Sequence, residues 1–441
     1  MARITPPSPE ITLYKDGFEG HDKLGREKTG DRLSDLVERI EEPMVIALDG
    51  GWGTGKSHFL KCWVGHHLQR EGNTSQTVYF DAFANDFMDE PLVSLLACMA
   101  DVFEEHLEAV EQNKMDRVKK VVWRLGPAAL RIGASIATFG VTNHLGDLGD
   151  VVAEGIGAEV ANSAEGFWKQ AQERQSVMHE FHNALESLTV DKEGQSRKLI
   201  IVVDELDRCR PDYGLALLEI IKHFFEVPNV HFILGTNVRE LENSVRARYG
   251  SGINAGLYLQ KFVTVTMGLP SKVDQNTPTS DRYFEHVAPE MGIHKDRVSL
   301  VVGALECYKS RSEIGLRDIE RITSIIALWP TSLGASTNYH VASTCTIFKI
   351  RHPDFYDKIR HGQATLDDIG AYFLLQPDQN NTTTPHSAYV LWRAWANYLA
   401  PTALNDGSMN GFDLYHYRQN TKILAEFLEE TLETISIEGL A

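Results

Sequence analysis

The sequence predicts an α/β fold in which a parallel sheet carries helices on both faces. Short apolar strands alternate with amphipathic helices as far as Pro270, and a glycine-rich turn joins one of those strands directly to a helix. Beyond Pro270 the apolar spacing is helical, so a mainly helical C-terminal region is expected.

Asp22 to Glu42 reads as a polar, amphipathic helix leading into the first strand, Met44 to Leu48, which the following glycines stop sharply. A helix from Lys56 to about Gln69 comes next. Thr77 to Ala82 is strand-like, being rich in β-branched and aromatic residues. Pro91 to Val110 sets Leu92, Leu95, Leu96, Met99, Val102 and Phe103 at helical spacing. Phe167 to Leu188 is helical again, Leu199 to Val203 is a buried strand, Leu215 to Phe225 a helix, and His231 to Leu234 another buried strand. Phe262 to Met267 is the last strand candidate, closed by Pro270. Helices are expected over Val298 to Ser310, Leu316 to Leu328 and Thr421 to Ile435, with Gln376 to Pro385 a polar loop. Tyr389, Trp392, Trp395 and Tyr398 read as core packing.

With 441 residues, 43% apolar and 24% charged, the chain is long enough for two or three domains of ordinary globular composition. A net charge of −18 argues against a general nucleic-acid coat, which needs a dense basic face. The five cysteines form no CxxC pair and the 17 histidines no HExxH pattern. The thiols therefore read as reduced core residues of a cytoplasmic protein. Met1 to Asp16 lacks the pattern of a signal peptide, and no charge-free apolar run reaches spanning length.

Gly50-Gly51-Trp52-Gly53-Thr54-Gly55-Lys56-Ser57 fits G-x-x-x-x-G-K-[ST] and stands where that motif must, after an apolar strand and at the start of a helix. Its glycines let successive N–H groups face phosphate at a helix N-terminus whose dipole favours anions. The expected ligand is ATP with Mg²⁺, held by Gly51, Trp52, Gly53, Thr54, Gly55, Lys56, Ser57 and His58. Lys56 reaches the β- and γ-phosphates, and the Ser57 hydroxyl holds the metal.

Five apolar residues, Leu199 to Val203, end in Asp204 and Glu205. Asp204 at the strand tip is the expected metal residue. Glu205, pointing differently, can orient and deprotonate an attacking water. Arg208 or Arg210 could act as an arginine finger, or serve in a salt bridge or helix cap. Thr236 and Asn237, after the next buried strand, could sense the γ-phosphate or cap the following helix.

In order, GGWGTGKS, FDAFANDF with DEPLVSLL, VVDELDRCRPDYGLALLEIIKHFF, FILGTNVREL and YLQKFVTV resemble the KAP family of P-loop NTPases. Trp52 inside the loop and DELDRC with its downstream proline are the specific marks. The resemblance covers about Asp22 to Pro270, with a looser match at GLRDIERI, Gly315 to Ile322. It implies a P-loop sheet of the additional-strand, catalytic-glutamate type, the roles above for Lys56, Ser57, Asp204 and Glu205, and a γ-phosphate contact for Arg317. Glu205 departs from the two aspartates of many members, in the direction of hydrolysis. The family includes bacterial and plasmid proteins linked to bacteriophage exclusion, and animal membrane scaffolds built on ankyrin repeats. No ankyrin signature is present here, so the bacterial type is the closer comparison. The expected division is an N-terminal half of the NTPase domain over 1–113, an inserted segment over 114–165, the C-terminal half over 166–270 and a helical domain over 271–441.

The family often places membrane helices in such an insertion. Here the best apolar stretch, Gly126 to Val141, is short, holds Arg131 and is built of small residues, so no transmembrane span is expected. A docked hairpin, peripheral membrane contact through 114–141 and a self-association surface stay open. The basic lead-in with Trp123 suits anionic headgroups and also nucleic acid, which the net charge does not favour. Asn113-Lys114-Met115-Asp116 spells NKxD, but it precedes Asp204 in a charged helical stretch and is discounted as a guanine reader.

Two functional classes follow. One is an ATP-hydrolysing switch or motor that self-associates and works with a separate protein effector in bacterial anti-phage defence. The other is an ATP-binding scaffold with little turnover that organises a partner complex.

Overall fold

A computed structural model describes residues 5–7, 10–88, 90–106, 115–120, 179–191, 193–224, 227–274, 277–330, 333, 336–377, 385–399 and 423–432. Within them, strands β1 (Met44–Asp49), β2 (Gln76–Asp81), β3 (Leu199–Asp204), β4 (Val230–Thr236) and β5 (Val265–Gly268) form one parallel sheet in the order β2-β3-β4-β1-β5. The register pairs Asp81 with Asp204, Asp204 with Gly235, and Asp49 with Thr236. The carboxyl ends of β1 to β4 therefore finish level, so the turns that leave them share one edge of the sheet. That edge is where parallel α/β sheets bind ligands.

Helices α1 (Glu27–Arg39) and α2 (Lys56–Leu68) cover one face, where Leu33, Phe59, Leu60 and Trp63 meet Ile46, Leu48, Ile200, Val202 and Ile233. Helices α3 (Pro91–His106), α4 (Pro211–Phe224) and α5 (Val238–Tyr249) follow β2, β3 and β4. On the other face Leu95, Met99, Phe103, Leu218 and Leu241 join Val45, Phe80, Ile201, Val203 and Phe232 in a second core. With both faces covered, the central strands are continuous apolar runs rather than alternating ones. At the β2 edge of the sheet the Tyr79 N–H donates to the Tyr14 hydroxyl at 3.0 Å, so the N-terminal segment covers part of that edge.

After the short α6 (Ala255–Leu259), the chain enters a helical region: α7 (Thr279–Glu290), α8 (Lys295–Cys307), α9 (Leu316–Ala327), α10 (Ser336–Arg351), α11 (Pro353–Arg360), α12 (Leu366–Tyr372) and α13 (His386–Leu399). Its own core gathers Phe284, Leu305, Ile322, Phe348 and Trp395. Helix α9 turns Ile319, Ile322 and Ile326 inward, leaving a polar face.

Several boundaries differ from the sequence expectation. The first helix begins at Glu27 rather than Asp22, because the Asp22 carboxylate accepts the N–H groups of Leu24, Arg26 and Glu27 and holds a turn ahead of it. Helix α4 starts four residues earlier than expected, with Pro211 at its first position, where a missing N–H costs nothing. The strand expected from Phe262 starts at Val265, and Phe262 is instead buried in the other face's core. Trp395 is buried, whereas Tyr389 and Trp392 are half-buried. Of the insertion, residues 115–120 are helical; Gly126 to Val141, and most of the loop at 376–385, lie outside the described residues. Among the described residues no helix is long and apolar enough to cross a membrane.

Candidate nucleotide site

The loop between β1 and α2 bends back on itself at Gly53 and Gly55, whose φ angles of 73° and 80° lie in the left-handed region that suits glycine. Lys56 folds over the loop and donates to the carbonyls of Gly50 at 2.5 Å and Gly51 at 3.1 Å. Its ammonium lies within the field of Asp207, Asp204 and Asp49, which oppose the lowering of its pKa by burial.

Beside the loop, Asp204 ends β3 at 1% exposure. Its Oδ2 accepts the Tyr79 hydroxyl at 2.6 Å and its Oδ1 the Glu205 N–H at 2.9 Å. Burial pushes its pKa up against those two bonds. Burial and the neighbouring Asp204 charge push the Tyr79 phenol up as well, which keeps it a donor. The room for Asp204 comes from β4: a Cβ on Gly235 would stand 2.4 Å from Asp204 Oδ1.

Glu205 leaves the strand with φ 57°, an uncommon conformation for a side-chain-bearing residue. That turn sends its carboxylate away from Asp204 toward Ser57, whose Oγ lies 3.4 Å from Glu205 Oε1, and toward Arg208, whose guanidinium pairs with it at 2.9 Å. Burial raises the Glu205 pKa; Arg208 and, more weakly, Arg317 hold it down, while Asp204 and Asp81 raise it.

The helical region closes the site from above. Leu316, at the start of α9, donates its N–H to Gly53 O at 2.6 Å, and Arg317 stands 3.0 Å from where a Gly53 Cβ would be. A cavity of about 520 Å³ runs between these elements, walled by Trp52 to Phe59, Asp204, Glu205, Arg208 and Arg317. It continues between residues 20–24 and the α7 and α9 side chains of Tyr283, Glu290 and Glu320.

The structure thus brings Trp52, Gly53, Thr54, Gly55, Lys56, Ser57, His58, Asp204, Glu205, Arg208 and Arg317 to one cavity. Gly51 contributes a carbonyl to Lys56 and to the Thr54 hydroxyl. Asn237 stands at the N-cap of α5, makes no side-chain cap bond and is not part of the cavity wall; its neighbour's N–H is taken by Asp49 instead. Sequence reasoning gave no role to Tyr79, Gly235, Asp207 or Arg26. The site suits Mg²⁺ and a polyphosphate: a desolvated carboxylate and a hydroxyl stand ready for a cation, and a glycine cradle opens on a cavity ringed by Lys56, Arg208 and Arg317.

The chain is 19% identical over 345 residues to the phage T7 exclusion protein of Escherichia coli (strain K12), a match that covers 74% of this chain but 44% of the relative's length. The solved structures of the Aeropyrum pernix ORC2 protein align with TM-scores of 0.33 (ADPNP-ADP complexes, 11% identity, 95% of this chain and 87% of that one) and 0.28 (ADP form, 12% identity, 94% and 82%). The model of the KAP family P-loop domain matches residues 26–332, from the turn before α1 to the end of α9 and just beyond. That match takes in the phosphate loop, the acidic strand end and Arg317 together, and the chain belongs to the KAP family of P-loop NTPases.

Proposed function

We propose that this chain hydrolyses Mg-ATP as a nucleotide-driven switch whose helical C-terminal region responds to the nucleotide. The observation that carries the proposal is Glu205, turned out of β3 so that its carboxylate faces the cavity beside Ser57. Lys56 exchanges its loop carbonyls for phosphate oxygens. Ser57 and Asp204 would hold Mg²⁺, which when bound withdraws charge from the phosphate oxygens. Tyr79 orients the Asp204 carboxylate through Oδ2. Glu205 takes a proton from the attacking water, and Arg317 meets charge that develops on the terminal phosphate.

The pairing of Glu205 with Arg208 favours slow basal turnover, since the base is engaged until that pair parts. The scaffold reading, in which ATP is a structural ligand, predicts that losing Glu205 changes little. Turnover of Mg-ATP by the wild type, Glu205→Gln and Lys56→Ala separates the two. Hydrolysis falling about 10²-fold or more in Glu205→Gln with ATP binding retained supports the switch. Equal turnover in the two proteins defeats it. Likeness to a phage exclusion protein supports a role in bacterial anti-phage defence, and a separate effector is our proposal for how that role is carried out. Equal phage plating on cells with and without the gene, over a broad panel, counts against that role.

A further inference from the structure

Arg26 stands immediately before the first turn of α1, where a cation opposes the helix dipole, so local helix chemistry does not account for it. It is 5% exposed. Its Nε has no hydrogen-bond partner among the described residues, and its Nη1 reaches the Gly55 carbonyl only at 3.5 Å. The same Nη1 lies 2.9 Å from where a Gly55 Cβ would be, so the guanidinium is pressed against the phosphate loop and forms part of the cavity wall. Burial lowers its pKa to about 10, with Asp22 opposing. A nearly buried guanidinium that forms part of a cavity wall and makes only one long bond there is complementary to an anion that arrives from outside.

Its position along the cavity selects the anion. Asp204, Glu205 and Arg208 mark the metal end, and Arg317 interacts with Glu205 and Arg208 there. Arg26 instead stands against Gly55 at the start of α2, where His58 Nε2 meets the His21 carbonyl. A phosphate chain whose β and γ groups lie on Lys56 and Ser57 extends its α-phosphate toward that end of the loop.

We propose that Arg26 is a ligand of the nucleotide α-phosphate, so that the site grips nucleoside mono-, di- and triphosphates through one shared contact. This rests on the reading of the cavity as a nucleotide site. Two consequences distinguish Arg26 from Lys56. The Arg26 contribution is the same for AMP, ADP and ATP, whereas that of Lys56 grows with phosphate number. Removing Arg26 also relieves a buried, under-partnered charge, so the ligand-free protein is no less stable without it.

The test is calorimetric titration of the full chain with ATP, ADP, AMP and adenosine, for the wild type, Arg26→Met, Arg26→Lys and Lys56→Ala, with thermal unfolding of each ligand-free protein. Arg26→Met is expected to weaken all three phosphorylated ligands by one common factor, roughly tenfold to hundredfold for a charge-assisted bond, with adenosine unaffected. Arg26→Lys should fall between, and the unfolding midpoint should hold or rise. Three outcomes overturn the proposal: unchanged ADP affinity in Arg26→Met, a loss that grows from AMP to ATP, or an equal loss for adenosine with a lowered midpoint. Wild-type protein that binds no nucleotide would remove the nucleotide reading itself. Wild-type binding that Lys56→Ala impairs and Arg26→Met does not would remove the Arg26 assignment alone.

Discussion

The indole N–H of Trp52 donates to Asp207 Oδ2 across 2.6 Å, tying the crest of the phosphate loop to the turn that follows β3. The two residues are 155 positions apart, and Trp52 keeps 53% of its surface exposed, so the bond rather than burial fixes its ring. Trp52→Phe should stay folded yet lower ATP turnover roughly tenfold, the worth of a bond to a carboxylate. Steady-state hydrolysis checks it; wild-type rates in the variant would show that the tie has no catalytic consequence.

The Glu205 pKa carries a prediction with a definite sign. A general base works deprotonated, so turnover should fall as pH drops through a carboxylate pKa that burial has raised. Arg208 is the leading influence holding that pKa down. Arg208→Ala should therefore move the acidic limb of kcat/KM to higher pH. A limb that stays in place or moves down contradicts the assignment.

Gly235 has no room for a methyl group, which would lie 2.4 Å from Asp204 Oδ1 and 2.5 Å from Leu60 Cδ1. Gly235→Ala should cost about 1–3 kcal/mol of stability by overpacking and raise the Mg²⁺ concentration needed for half-maximal turnover. Urea unfolding and a Mg²⁺ titration read the two effects separately, and a variant normal in both would mean that β4 yields easily.

In the helical region, buried Asp281 is paired with Arg311, whose Nε lies 3.2 Å from Oδ1. Asp281→Ala should cost about 3 kcal/mol, as expected when one partner of a buried pair is lost. Chemical denaturation followed by circular dichroism measures it; a cost near zero would mean that solvent satisfies Arg311.

The parallel sheet was legible because β1, β3 and β4 are covered on both faces and so read as uninterrupted apolar runs. The phosphate loop was legible because its chemistry is confined to consecutive residues. Tyr79 was not, since its role depends on β2 lying beside β3 with Asp81 opposite Asp204, and strand order is not written in local pattern. Asp207 was not legible either, because its partner, Trp52, is far away in the chain. Arg26 was not legible, because a helix expected from Asp22 places it a turn inside; only the observed start at Glu27 and its burial set it apart. Asn237 was placed at the right strand end, yet the side chain that meets α5's first turn belongs to Asp49.

The bond from Leu316 N to Gly53 O makes the phosphate loop a joint between the two halves of the molecule. Any partner that levers α9 off the loop and thereby changes nucleotide affinity must, by reciprocity, have its own grip changed by nucleotide to the same factor. Force or binding applied far out on the helical region is then legible at the loop as a change in how long nucleotide stays. One measured quantity, the ratio of partner affinities with and without nucleotide, reports how firmly the joint is coupled.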